Sequence, residues 1–384
     1  MSVVDFQRKL IELTNSGASP YFNVVEAQCS NSKTLREFGK VIDFTSCDFL
    51  NLSSHYEVKE AFIESARNFG ITTNAAQIFS GYTVYHEELE SQLAQALGKS
   101  ISLFPTCTHA NLSVLTSLFS KNDLIVHDEM NHYSLFIASR ASYADTKIFP
   151  HNDYEKLELI LANSKASNKL VCIEGFNSAN GNYPDIPLVL SICKKYQAKI
   201  LVDESHSFGV FGPKNLGVCD FYGVTSEIDY ITTTFNKALG SHGGMLAASQ
   251  QDISYLRHLC GAYTSSRGMA PPLVAAALTA FKILNGPEGA QRREDAWVNQ
   301  RVALEKLKNI PGRIINSQTL GIPFSLDILE DELPSKAAEL IRNGVLVSSF
   351  IYPSVPRNGH RIRLCITAQS DLSGIDKISD SMLR

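Results

Sequence analysis

Lys199-Ile200-Leu201-Val202-Asp203-Glu204-Ser205-His206 is an apolar run that ends in a knot of ionisable and hydroxyl side chains. Tyr230-Ile231-Thr232-Thr233-Thr234-Phe235-Asn236-Lys237-Ala238-Leu239-Gly240 follows the same plan, with a lysine set between hydroxyl-rich and small residues. A third run, Lys169–Ile173, is followed by Glu174, Asn177 and Ser178. Continuous apolar runs of this length are what strands buried on both faces look like. In open sheets of parallel strands, ligands bind beyond the carboxyl ends, where these polar groups gather.

Working outward, short apolar runs alternate with helical patterns from about 100 to 249. The further candidate strands are Ile101–Phe104, Leu124–Val126 and Met245–Ala248. The candidate helices are Asn111–Phe119, His132–Ala141, Tyr154–Ala162 and Pro187–Tyr196. The alternation predicts βαβ units and an α/β large domain with a mainly parallel sheet. After Pro271-Pro272 the pattern shifts to a helix over 273–284, a charged helix near 288–309 and shorter α and β signals ending in Arg361–Thr367. We expect an N-terminal arm over 1–45, a large domain over 46–270 and a smaller α+β C-terminal domain over 271–384. Phe6, Leu10 and Leu13 sit at helical spacing near the start.

The 384 residues are 44% hydrophobic and 19% charged, which suits a globular chain of two or three domains. A net charge of −4 gives no basic face for nucleic acid. No run reaches the ~18 apolar residues of a membrane span. The start has an early acid and no signal-peptide core. None of the eight cysteines forms a C-x-x-C pair, so reduced, buried thiols in a cytoplasmic protein are expected, and no metal site.

Lys237 and Asp203 together suggest pyridoxal 5'-phosphate (PLP). The lysine amine can form a Schiff base with the cofactor aldehyde, and the carboxylate can keep the pyridine nitrogen protonated as an electron sink. A lysine after hydroxyl residues is by itself most often a solvated surface group. Several further segments fit the same site. These are Asp43-Phe44-Thr45-Ser46-Cys47-Asp48-Phe49-Leu50-Asn51-Leu52, Ser80-Gly81-Tyr82-Thr83-Val84-Tyr85-His86-Glu87-Glu88-Leu89-Glu90, Phe104-Pro105-Thr106-Cys107-Thr108-His109-Ala110-Asn111, Asn131-His132-Tyr133-Ser134 and Glu174-Gly175-Phe176-Asn177-Ser178-Ala179-Asn180-Gly181.

With these segments the chain, from about 42 to 375, resembles the α-oxoamine synthase family of fold-type-I PLP-dependent enzymes. That family includes 8-amino-7-oxononanoate synthase, serine palmitoyltransferase, 5-aminolevulinate synthase, 2-amino-3-ketobutyrate ligase and the CAI-1-type autoinducer synthases. The resemblance implies the PLP-dependent transferase fold type I and a homodimer with the active site at its interface. It implies that His132 stacks on the cofactor ring and that Ser178 and His206 reach its phenolic oxygen. Thr234 would hold the phosphate. Cys107 and Thr108 would hold it too, at a turn feeding a helix whose free N–H groups suit an anion. Ser265 and Ser266 would contact the phosphate of the neighbouring subunit. Arg363, or Arg361 two residues earlier on the strand, would clamp the amino-acid carboxylate. Cys47 stands where relatives carry an asparagine that touches substrate. The reaction implied is a decarboxylative Claisen condensation of an amino acid with an acyl-CoA or acyl-carrier thioester, giving an α-amino ketone. An aminotransferase on the same fold, or a non-catalytic partner subunit, are the rival readings.

Overall fold

The computed structural model describes residues 11, 20–352 and 354–382. The helix expected through Phe6, Leu10 and Leu13 lies outside these. The chain forms two compact units. The larger holds 52–178 and 182–290; the smaller holds the residues before 52, then 179–181 and 291 onward.

The larger unit is built on seven strands: β1 (Ser100–Phe104), β2 (Leu124–Asp128), β3 (Asp145–Phe149), β4 (Lys169–Glu174), β5 (Lys199–Asp203), β6 (Tyr230–Thr234) and β7 (Gly244–Ala248). Their order is β1-β7-β6-β5-β4-β2-β3. The pairs β6/β5, β5/β4, β4/β2 and β2/β3 are parallel, whereas β7 runs antiparallel to both β1 and β6. The sheet is therefore mainly parallel and the class is α/β. Val171, Ile200, Leu201 and Val202 are fully enclosed. Each such side chain contributes about 1.5–3 kcal/mol by leaving water.

Four helices of this unit matter below: α1 (Tyr56–Phe69), α2 (Val84–Leu97), α3 (Cys107–Leu118) and α4 (Tyr133–Ser142). The sequence pattern starts α3 at Asn111. It begins a turn earlier because Thr106 caps it, its hydroxyl accepting from His109 N–H at 3.1 Å. A further helix, Pro271–Leu284, packs against α1 and α2, so the chain stays in the larger unit past 270.

In the smaller unit the strands Val25–Cys29, Ser32–Leu35 and Gly39–Asp43 form an antiparallel meander, and Val345–Leu346 pairs in parallel with the third. Residues 25–43 of the stretch expected to be an arm are thus tied down as sheet. A second sheet runs Gly312–Ile314, Gly321–Leu326, Arg361–Cys365, Ser348–Phe350, all antiparallel. Helices Leu333–Arg342 and Ser373–Met382 supply Leu340 and Ile378 to a core shared with Phe324, Ile362 and Leu364. This unit is α+β. Among the described residues no helix is long and apolar enough to cross a membrane.

Candidate active site

Because β7 opposes its two neighbours, β1, β6, β5 and β4 all end at one edge of the larger unit's sheet. A cavity of about 270 Å³ opens there. That is just below the ~300–1,000 Å³ usual for small-molecule sites. Lys237, Asp203, His206, His132, Ser178, Thr234, Cys107 and Thr108 all line it. The resemblance had assigned these eight residues to one cofactor, and the fold gathers them from five separate segments of sequence.

Asp203 closes β5 and is buried. Its Oδ1 accepts from Ser205 N–H at 3.0 Å. Its Oδ2 accepts from Asn111 Nδ2 at 3.2 Å and faces the Cys107 thiol at 3.6 Å. A carboxylate has about four acceptor sites, so roughly one remains for a further donor in the cavity. Lys237 projects from the tight loop after β6, half-buried. Gly240 N–H bonds Lys237 O at 2.9 Å. Gly240 has φ +57°, and a Cβ there would meet Ser53 N at 2.2 Å, so only glycine lets the loop fold this closely. Thr234 Oγ1 lies 2.6 Å from Asn236 Oδ1 and 3.1 Å from Gly243 O.

Cys107 and Thr108 form the first turn of α3, where backbone N–H groups precede any intrahelical acceptor and the helix dipole is positive. β7 passes directly beneath. A Cβ on Gly244 would meet Cys107 N at 2.5 Å, so the strand must carry glycine there. The donor set fits PLP. It offers an amine for the aldehyde, a buried carboxylate for the ring nitrogen, and a helix start with a hydroxyl for the phosphate.

His132 caps α4. Its Nδ1 accepts from Ser134 N–H at 3.3 Å and lies 2.8 Å from Ser134 Oγ. Burial lowers its pKa, Asp203 opposes that shift, and the positive charge of Lys237 adds to it. His132 N–H donates to Glu174 Oε1, and Ser178 N–H donates to Glu174 Oε2 at 3.0 Å. Burial, then the negative Asp203 on the adjacent strand, pushes the Glu174 carboxyl up to about 8.

Glu174 is the functional group to which sequence reasoning gave no role. It lies inside a quoted segment, but nothing in the sequence shows that its carboxyl turns inward between two backbone donors. Asn111 and Ser205, which hold Asp203, were likewise visible only as neighbours of motif residues. Ser265 and Ser266 follow the short helix Gly261–Thr264 and do not line this cavity. Arg363 and Cys47 belong to the smaller unit, where Arg363 Nη2 lies 3.9 Å from Cys47 Sγ and its guanidinium stacks 5.0 Å from the Phe350 ring. Arg361 is buried there. It donates to Gly359 O at 2.7 Å, Ala179 O at 3.1 Å and Asn180 Oδ1 at 3.3 Å.

Residues 39–381 match the model of the aminotransferase class I and II family. The chain is 31% identical over 381 residues to 8-amino-7-oxononanoate synthase of Thermoanaerobacter pseudethanolicus, covering 97% of this chain and 94% of that one. It is 29% identical to long chain base biosynthesis protein 2d of Oryza sativa subsp. japonica, covering 95% and 80%. A solved structure of SPT with a PLP internal aldimine superposes with a TM-score of 0.91 at 26% identity, covering 100% of this chain and 98% of that one.

Proposed function

The chain belongs to the aminotransferase class I and II family, and on that premise we propose that it is a PLP-dependent acyltransferase of the α-oxoamine synthase type. It joins an amino acid to an acyl thioester, acyl-CoA or carrier-bound. The bond from the amino acid's α-carbon to the acyl carbon forms and the thioester C–S bond breaks, releasing a thiol. Carbon dioxide leaves, and the product is an α-amino ketone. The convergence of Lys237, Asp203 and the α3 N-terminus on one cavity carries this reading.

Bound PLP supplies the aldehyde and the electron-accepting ring. Lys237 anchors it through Nζ and serves as the base at the α-carbon. Asp203 retains the ring-nitrogen proton, its carboxylate oriented by Ser205, Asn111 and Cys107. His132 covers the ring, and His206 and Ser178 hold the phenolic oxygen. Cys107, Thr108 and Thr234 hold the phosphate. Arg363 receives the substrate carboxylate, with Cys47 beside it. Arg361, buried and donating to two carbonyls and an amide, is the alternative clamp.

The enzyme works as a homodimer in the cytoplasm, with Ser265 and Ser266 reaching the neighbouring subunit's phosphate. Large apolar side chains exposed on the larger unit, such as Ile71 and Phe79 at 83% and 82%, support a partner surface.

The deciding experiment incubates the PLP-loaded protein with a panel of amino acids and acyl-CoAs. Thiol release and product mass are both followed. Thiol released only when both substrates are present, with a decarboxylated adduct, is the expected result. A keto-acid half-reaction without thiol release would make it an aminotransferase. Failure of borohydride to fix PLP to Lys237 would make it a non-catalytic homologue.

A further inference from the structure

Two sulfurs stand side by side in the smaller unit. Cys47 follows the strand Gly39–Asp43, Cys365 ends the strand Arg361–Cys365, and their Sγ atoms are 3.6 Å apart. Backbone bonds clamp the two segments on both sides of the pair. Cys365 N–H donates to Phe44 O at 2.8 Å, and Ala368 N–H donates to Phe49 O at 2.8 Å. Asp43 fixes the turn between strand and thiol. Its Oδ1 accepts from Thr45 N–H at 2.8 Å and Thr45 Oγ1 at 2.6 Å, and its Oδ2 pairs with Lys33 at 3.0 Å.

A disulfide needs an S–S distance of about 2.0 Å, so closure asks for roughly 1.6 Å of side-chain movement with those backbone bonds left in place. Cys365 is 1% exposed, whereas Cys47 is half-buried, so an oxidant meets Cys47 first. The Arg363 guanidinium beside Cys47 favours the reactive thiolate.

We propose that Cys47 and Cys365 form a peroxide-responsive thiol pair whose disulfide disables Arg363 as a carboxylate clamp. The Cys47 thiolate attacks a hydroperoxide, the O–O bond breaks, and Cys47 becomes a sulfenic acid while hydroxide or alkoxide leaves. The Cys365 thiol then attacks the Cys47 sulfur, the S–O bond breaks and water leaves. With hydrogen peroxide, two thiols and one peroxide give one disulfide and two waters. A dithiol reverses it by exchange. In the disulfide the Cys47 sulfur is drawn towards Cys365 and can carry no negative charge to hold Arg363. The guanidinium loses a contact that orients it.

The consequence at Arg363 rests on the carboxylate role given above; the disulfide itself does not. PLP-loaded protein is treated with hydrogen peroxide and digested without reductant. We expect an intact mass lower by two hydrogens and a cross-linked peptide pair carrying residues 47 and 365. The KM for the amino acid should rise about tenfold or more, as loss of a charge-assisted bond predicts, and return with dithiothreitol. Cys365→Ser protein should give no cross-link, and Cys47 should instead stop at the sulfenic acid, which dimedone captures. Absence of the cross-linked pair in the wild-type protein overturns the proposal, and so does a cross-link that leaves KM unchanged. If no amino acid perturbs the PLP spectrum before oxidation, the proposed activity fails, while the mass readout still decides the disulfide.

Discussion

Among the described residues Lys237 is the one amine lining the cavity, and its replacement separates binding from chemistry. Lys237→Ala protein should lose the visible absorption of bound PLP and at least ~10³-fold in kcat, since it loses both anchor and base. Absorbance and single-turnover assays check both. Glu174 makes a different prediction. Its folded pKa is about 8 against an ordinary 4.5. Below pH 4.5 both folded and unfolded carboxyls are protonated, and its contribution is whole. As pH rises through 4.5 to 8 the unfolded chain ionises and the folded one does not, so stability is lost across that window. The loss is on the order of a few kcal/mol. Melting of cofactor-free protein at pH 5 and pH 8 should show this fall, and Glu174→Gln should flatten it whatever its absolute Tm. A Gln variant with the wild-type slope would remove Glu174 as the cause.

At the level of elements, the close pass of β7 under α3 sets the phosphate end of the cavity. Gly244→Ala drives a methyl into Cys107 N, so either strand or helix must retreat. Overpacking of this kind costs about 1–3 kcal/mol. PLP affinity, read by fluorescence titration, should weaken by an order of magnitude or more. Helix α2 offers a second test. His86 Nδ1 accepts from Thr83 N–H at 3.3 Å and Nε2–H donates to Met269 O at 3.2 Å, so the neutral ring completes a capping box. Burial lowers its pKa to about 4. As pH falls from 6.5 towards 4 the unfolded histidine takes a proton that the folded one refuses, and stability drops. His86→Gln keeps an acceptor and donor at the same capping position without titrating. Its Tm should therefore fall less between pH 7 and pH 4.5 than that of the wild type.

Elements also mark how far the sequence could be read. β2, β4, β5, β6 and β7 are enclosed strands whose apolar runs announce them. β3 escaped because it is a largely exposed edge strand in which Asp145, Thr146 and Lys147 leave no apolar run. The reversal of β7 left no trace in composition, since direction is set by pairing across the sheet. The first meander was hidden for a similar reason: all of Val25–Cys29 is exposed, so no apolar pattern marks it. Among the candidate site residues, the placing of Asp203, Thr234 and Glu174 at strand ends was legible, but what Glu174 and Asn111 bond to was not. Those partners depend on where a side chain turns once the strands are side by side.

For the molecule as a whole, the prediction concerns assembly. Phe79→Asp places a charge on an exposed apolar surface. If that surface is covered by a second copy, sedimentation should show a dimer converted to monomer. PLP binding should weaken with it, because Ser265 and Ser266 would lose the neighbouring phosphate. A variant that stays dimeric, or a wild type that sediments as a monomer, ends that reading.

The smaller unit is assembled from both ends of the polypeptide: Ile42 in the early meander pairs with Val345. During synthesis the first strands leave the ribosome roughly 15–60 s before their partner exists, at ~5–20 residues per second. Through that interval the nascent chain presents an unfinished sheet edge, the feature that invites pairing with another chain. Folding in the cell should therefore depend on chaperone cover during translation far more than the finished protein's stability would suggest.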